Sequence, residues 1–191
     1  MKFQDASDGD LSRGCRQDDP AAWRELVRRF TPLVYRIALR MLRRPEEAED
    51  ASQEAFMRIH RSFDSFDPTR PLKPWVSRIA YNSCLSRIEQ NARQRRTQSE
   101  AAAEPVPEQA ADKSPEQRAQ GSEAARLLEG AIGDLAPRDR VLLTLRYREG
   151  LSDTEVAEVA ELPVGTVKTR IFRARAALRR VLAPLIGEAG A

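Results

Sequence analysis

The chain has 191 residues, with 32 lysines and arginines against 29 aspartates and glutamates, so it is near charge balance at +3 and long enough for one domain or two small ones. No apolar run approaches the about 18 residues of a membrane span, and the start, MKFQDASDGDL, lacks the apolar core of a secretory leader, so a cytoplasmic protein without membrane insertion is expected. One histidine, His60, and two distant cysteines, Cys15 and Cys84, leave no material for a histidine-based triad or a zinc site, so no cofactor and no metal are expected.

Apolar residues recur at spacings of three and four throughout and β-branched alternation is nearly absent, which predicts an all-α fold. A short helix is expected over 10–17. Asp19-Pro20 then supplies an aspartate N-cap and a proline at the first helical position. Trp23, Leu26, Val27, Phe30, Leu33, Val34, Ile37, Ala38, Met41 and Leu42 line one broad apolar face of a helix to about residue 44. Pro32 lies inside it and predicts a kink, because it removes a donor and crowds the preceding turn.

Pro45 opens a third helix in which Ala48, Ala51, Ala55, Phe56, Ile59 and Phe63 form the buried side. Glu46 and Glu47 suit the positive end of the helix dipole. That account does not extend to Asp50, Gln53 and Glu54, two turns further on and ending beside Met57. Their shared face reads as a surface for a basic protein partner.

A loop over 62–73, with Phe63, Phe66, Asp67 and Lys73, leads into a helix near Pro74 whose inner set is Trp75, Val76, Ile79, Ala80, Ser83 and Leu85. Its wet side carries Arg78, Asn82 and Arg87, then Arg93, Arg95 and Arg96. Two readings stand side by side: a surface for unstacked bases and phosphates, or a core helix whose basic end frays into a linker. Over 97–120 aromatics vanish and Pro, Gln, Glu, Ala and Ser dominate, a composition that cannot offset its ordering entropy. Two domains are therefore expected, residues 1–96 and 122–191, joined by a flexible linker at 97–121. The second begins with helices over 123–132 and 137–147, the latter with Val141, Leu142 and Leu145 inward.

Residues 150–182 read GLSDTEVAEVAELPVGTVKTRIFRARAALRRVL. Ser152 with Glu155 is a capping box that starts a short helix at about Asp153, and Leu162-Pro163 ends it and opens the next. In that next helix Val164, Val167, Ile171, Ala174, Leu178 and Val181 form an apolar stripe. Thr166, Thr169, Arg173 and Arg180 lie opposite, with Phe172 and Arg170 on the shoulders, and Lys168, Arg175 and Arg179 complete a face without acids. A short helix, a tight turn and a basic second helix predict a helix-turn-helix DNA reader. The alternative is a helical hairpin with a solvated basic face, which leaves Phe172 without a purpose.

Three stretches together, EEAEDASQEAFMRIHRSFDSFD, PWVSRIAYNSCLSR and LPVGTVKTRIFRARAALRR, resemble the extracytoplasmic function type of RNA polymerase sigma factor. The resemblance implies a helical sigma-2 domain and a helix-turn-helix sigma-4 domain, core RNA polymerase and promoter DNA as partners, and an anti-sigma factor as inhibitor. It implies that Asp50, Gln53, Glu54 and Met57 dock on the clamp helices of the beta-prime subunit, and that sigma-4 packs on the beta flap. Phe63, Phe66, Lys73, Arg78, Asn82 and Arg87 would serve the −10 element; Thr166, Lys168, Thr169, Arg170, Phe172, Arg173 and Arg175 the −35 element. Ser86 and Val76 depart from the family pattern, which often has Asp and Leu there. Two rivals remain: a helix-turn-helix regulator that is not a polymerase subunit, and a metal-dependent nucleic-acid enzyme using the 46–54 carboxylates.

Overall fold

The structure, a computed structural model, describes residues 3–99 and 123–188, and every regular element among them is helical. Helix α1 (Asp8–Arg16) starts two residues earlier than expected, because the Ser7 side chain accepts from the amide of Asp10 at 3.1 Å and so caps it. Helix α2 (Pro20–Leu42) follows, with Asp19 accepting from the Ala21 amide, and runs on through Pro32 to a left-handed Arg43 at φ 64°. Helix α3 (Pro45–Ser62) ends in a single 3₁₀ turn, Phe63–Ser65. Helix α4 (Leu72–Ser99) begins where Asp8 accepts from the Leu72 amide, 2.9 Å away, so the first helix caps the fourth. Thr97–Ser99 are helical rather than coil; the rest of the expected linker, 100–121, lies outside the described residues.

Helices α2, α3 and α4 pack on one another around Leu26, Ile37, Met41, Ile59, Leu72 and Val76, all at most 2% exposed. Val27, placed on the apolar face by its spacing, is exposed at that face's margin. The larger correction concerns the loop after α3. Phe63 and Phe66 are each only 2% exposed and belong to an aromatic cluster: Trp23 to Phe63 at 4.9 Å, Phe63 to Trp75 at 5.5 Å, Phe66 to Trp75 at 5.1 Å between ring centroids. Arg16 donates to the Phe66 carbonyl and fixes the loop from outside. Each buried ring stabilises the fold by about 1.5–3 kcal/mol, more than a wet ring waiting for a base returns.

The second bundle comprises α5 (Glu123–Gly133), α6 (Pro137–Leu143), α7 (Asp153–Ala160) and α8 (Val164–Glu188). Helix α6 widens into a π-helical turn, Thr144–Arg148, closed by the Glu149 amide donating to the Thr144 carbonyl at 3.0 Å. Gly150 then turns the chain at φ 73°, a conformation open to glycine without strain. The expected capping box is present in full: the Ser152 amide donates to Glu155 at 2.7 Å and the Glu155 amide to the Ser152 hydroxyl at 3.2 Å. Val167, Ile171 and Ala174 are buried and Leu178 partly so; Val181 is exposed, so the stripe ends a turn earlier than its spacing implies.

The two bundles share a seam. Helix α6 lies along α2, and α7 lies along α4. Arg140, 6% exposed, sits where they meet and donates to the carbonyls of Arg40 (2.8 Å) and Met41 (3.3 Å) at the end of α2, and to those of Gly133 and Leu135 in its own bundle. A guanidinium suits this place, because its fork of donors satisfies last-turn carbonyls at the negative end of a helix.

Candidate functional site

On α3 the periodicity of the helix brings Asp50, Gln53, Glu54 and Met57 to one side. Asp50, Gln53 and Met57 are exposed and Glu54 is half-buried. They line an open groove of about 440 Å³ whose opposite wall is α4, through Ser86, Arg87 and Gln90. The Arg87 guanidinium reaches Asp50 at 2.8 Å and Arg58 reaches Glu54 at 2.8 Å. Both pairs are solvated, so each holds its partner by less than about 1 kcal/mol and gives way readily to another cation. Arg87, expected to face DNA, thus borders the acidic groove.

The other candidates on α4 meet the second bundle. Arg78 and Asn82 both donate to one oxygen of Glu161, at 3.0 Å each. Lys73 approaches the Glu149 carboxylate at 3.4 Å, and Arg36 reaches its other oxygen at 2.6 Å; the Glu149 side chain is only 6% exposed between them. Arg70 pairs with Glu158. The donors from Asn82 and Arg78 hold the Glu161 carboxyl below the usual carboxylate range. Ser86 donates to the Asn82 carbonyl one turn back, 3.0 Å away.

Helix α8 presents a different surface. Lys168, Thr169, Phe172, Arg173 and Arg175 stand in solvent, Phe172 at 72% exposure. Arg175 lies over the ring of exposed Tyr147, 5.6 Å from its centroid, which extends this face with an aromatic that the spacing did not single out. Thr166 is half-buried. Arg170 is half-buried and pairs with Asp139 of α6 at 2.9 Å, so it ties the recognition helix to its own bundle. Asp139 was invisible as a partner because it lies 31 residues away.

No group of three or more histidine, cysteine, aspartate or glutamate side chains able to hold a metal ion occurs among the described residues. No helix among them is long and apolar enough to cross a membrane. Burial pushes the thiols of Cys15 and Cys84 up to about 12.

Comparison with known proteins follows the same division of the chain. Residues 26–94 match the family Sigma-70 region 2, and residues 125–178 match Sigma-70, region 4. The chain is 34% identical over 175 residues to the ECF RNA polymerase sigma factor SigW of Bacillus subtilis, spanning 89% of this chain and 94% of that protein. It is 32% identical over 188 residues to the RNA polymerase sigma-H factor of Pseudomonas aeruginosa, spanning 95% and 97%. Among solved structures, the fold is similar to the sigma factor RpoE bound to the anti-sigma factor NepR from Bartonella quintana, with a TM-score of 0.69 at 24% identity, over 84% of this chain and 96% of that one.

Proposed function

The chain belongs to the extracytoplasmic function sigma factors of the sigma-70 family, and on that premise we propose how its surfaces divide the work of an alternative sigma factor. Residues 1–96 form the sigma-2 domain and 122–191 the sigma-4 domain. Asp50, Gln53, Glu54 and Met57 dock on core RNA polymerase, at the clamp helices of the beta-prime subunit. Lys73, Arg78, Asn82 and Arg87 serve the −10 element. Lys168, Thr169, Phe172, Arg173 and Arg175 enter the major groove at the −35 element, and sigma-4 packs on the beta flap. The protein works in the cytoplasm as a transcription initiation factor and not as an enzyme. An anti-sigma factor restrains it, as the solved RpoE complex illustrates for that protein.

The observation that carries this reading is the exposed Asp50, Gln53, Met57 edge on α3. A regulator that is not a polymerase subunit has no use for a methionine set among carboxylates in solvent, whereas a basic helical partner supplies both an apolar and a charged match. The test is affinity for core polymerase. The double reversal Asp50→Lys, Glu54→Lys is expected to weaken binding by about 2 kcal/mol, as desolvated interfacial pairs commonly do, with thermal unfolding unchanged. Undiminished affinity in that variant would refute the docking face.

A further inference from the structure

We infer that Tyr147, which lies before the helix-turn-helix, is a positioning residue for Arg175: its ring holds that guanidinium ready for a phosphate of the −35 element without neutralising it. The inference rests on the assignment of α8 to the −35 element and adds a residue that prepares one of its contacts. The guanidinium carbon of Arg175 lies 5.6 Å from the centroid of the Tyr147 ring, within the range over which an aromatic face attracts a cation. Both side chains stand in solvent.

A second arginine of the same helix shows what the ring supplies. Arg170 is held by Asp139 at 2.9 Å, and that carboxylate opposes its charge and takes one of its N–H donors. Arg175, five residues further on, is held by a ring instead. A ring attracts the cation through its quadrupole, so the net positive charge stays and no N–H donor is used up. An arginine that is to meet a phosphate needs both. Left on a bare helix surface, its long side chain would spread over many rotamers, and ordering it would weaken the contact. The ring narrows that spread before DNA arrives.

Tyr147 is itself firmly mounted. It belongs to the π-helical turn Thr144–Arg148, a rare geometry that recurs at functional sites. The turn is anchored beneath by fully buried Leu145, whose carbonyl accepts from the Leu151 amide at 3.0 Å, and by the Thr144 hydroxyl, which donates to the Arg140 carbonyl at 3.1 Å. Arg146 donates to the Leu151 carbonyl at 3.2 Å and pairs with Asp153, the first residue of α7, at 2.9 Å. Its guanidinium also lies 5.9 Å from the Tyr147 ring centroid. The ring that meets Arg175 is therefore tied to the start of the helix-turn-helix, and its position is set by the bundle rather than by the DNA.

The experiment uses the full chain bound to core RNA polymerase. Affinity for double-stranded promoter fragments that differ only in the −35 element is measured over a series of salt concentrations for the wild type, Tyr147→Phe, Tyr147→Leu, Arg175→Ala and the double variant Tyr147→Leu, Arg175→Ala. Tyr147 is 57% exposed, so these changes leave the core untouched. Tyr147→Leu is expected to weaken binding about two- to fivefold on every −35 sequence alike, the range of an exposed cation–ring contact. Tyr147→Phe, which keeps the ring, should bind as the wild type does. The double variant should bind no more weakly than Arg175→Ala alone, because the ring acts only through that arginine. Wild-type affinity in Tyr147→Leu, a Tyr147→Phe as weak as Tyr147→Leu, or losses that add in full in the double variant would each overturn the positioning role and leave the −35 assignment standing. An Arg175→Ala with undiminished affinity and an unchanged salt slope would instead show that Arg175 meets no phosphate, and would overturn its −35 assignment and the inference with it.

Discussion

Helices α4 and α8 carry the same kind of outward residue, arginine beside an amide or hydroxyl, yet their outer faces meet different surroundings. The inner stripe of α8, Val167, Ile171 and Ala174, is spent on its own bundle, and Lys168, Thr169, Arg173 and Arg175 are left in solvent. On α4 the inner side is equally buried through Val76, Ala80 and Cys84, but Lys73, Arg78 and Asn82, though not buried, are engaged by carboxylates of the other bundle. An exposed basic face is thus a demand for anions, and a protein with acids within reach meets it internally until a better anion arrives. The same holds in miniature for Arg170, which finds Asp139, and for Arg87, which finds Asp50.

The largest effect that would break this comparison is expected at Arg140. Its guanidinium satisfies carbonyls from both bundles, and Arg140→Ala removes the donor to the Arg40, Met41 and Leu135 carbonyls, while that of Gly133 keeps Arg43, and opens a hole at the seam. A loss of about 3 kcal/mol in urea unfolding is expected, since hydrogen bonds to charged groups weigh about 1.5–3 kcal/mol and more than one is lost. If the loss stays under about 1 kcal/mol, other donors reach these carbonyls and the engaged state of α4 does not depend on this side chain.

The next effect sharpens the open half of the comparison. Arg173 lies opposite the buried stripe of α8, where a side chain reaches a base edge, and an arginine bidentate to guanine is worth about 1–3 kcal/mol of discrimination. Arg173→Ala should flatten preference across a panel of −35 sequences. Lys168→Ala and Arg175→Ala should weaken all sequences alike and lower the salt slope, as phosphate contacts do. Measured at two salt concentrations, the reverse pattern, with Lys168 setting the ranking, would mean that the helix enters the groove by another face.

Helices, their caps and the basic face of α8 were legible because each is a matter of residues within a turn or two. Ser152 with Glu155, Asp19 with Pro20 and the Val167, Ile171, Ala174 stripe declare themselves locally. Phe66 did not, and Phe63 stood both on the buried side of its helix and among the rings of the loop, because a loop with two rings looks the same whether the rings meet DNA or meet Trp23 and Trp75 from distant helices. Arg140 stood as one arginine among 32 basic residues, and its carbonyl partners on α2 lie about a hundred positions away. The seam was hidden for a further reason: a polar linker suggested that the bundles stay apart, while nothing in a sequence says which acid of one surface meets which base of another. Val181 shows the limit of periodicity itself, since a stripe continues in sequence past the point where there is anything to pack against.

The smallest effect concerns acid, and it separates the two helices by chemistry. The Glu161 carboxyl titrates below its ordinary 4.5 because Asn82 and Arg78 donate to it, so its ionised form favours contact between the two bundles. That contribution is present in full above pH 4.5 and is lost as the pH falls through the depressed value. About half of the side chain is exposed, so screening keeps the contribution under about 1 kcal/mol. Between neutral pH and about pH 3 the radius of gyration of the wild-type chain should therefore rise more steeply than that of Glu161→Gln, which starts slightly expanded and lacks this one titration. Helix α8 has no acid from Val164 to Leu182, so no such term acts on its outer face. Superimposable pH profiles for the two proteins would show that Glu161 rests against Arg78 and Asn82 without holding them.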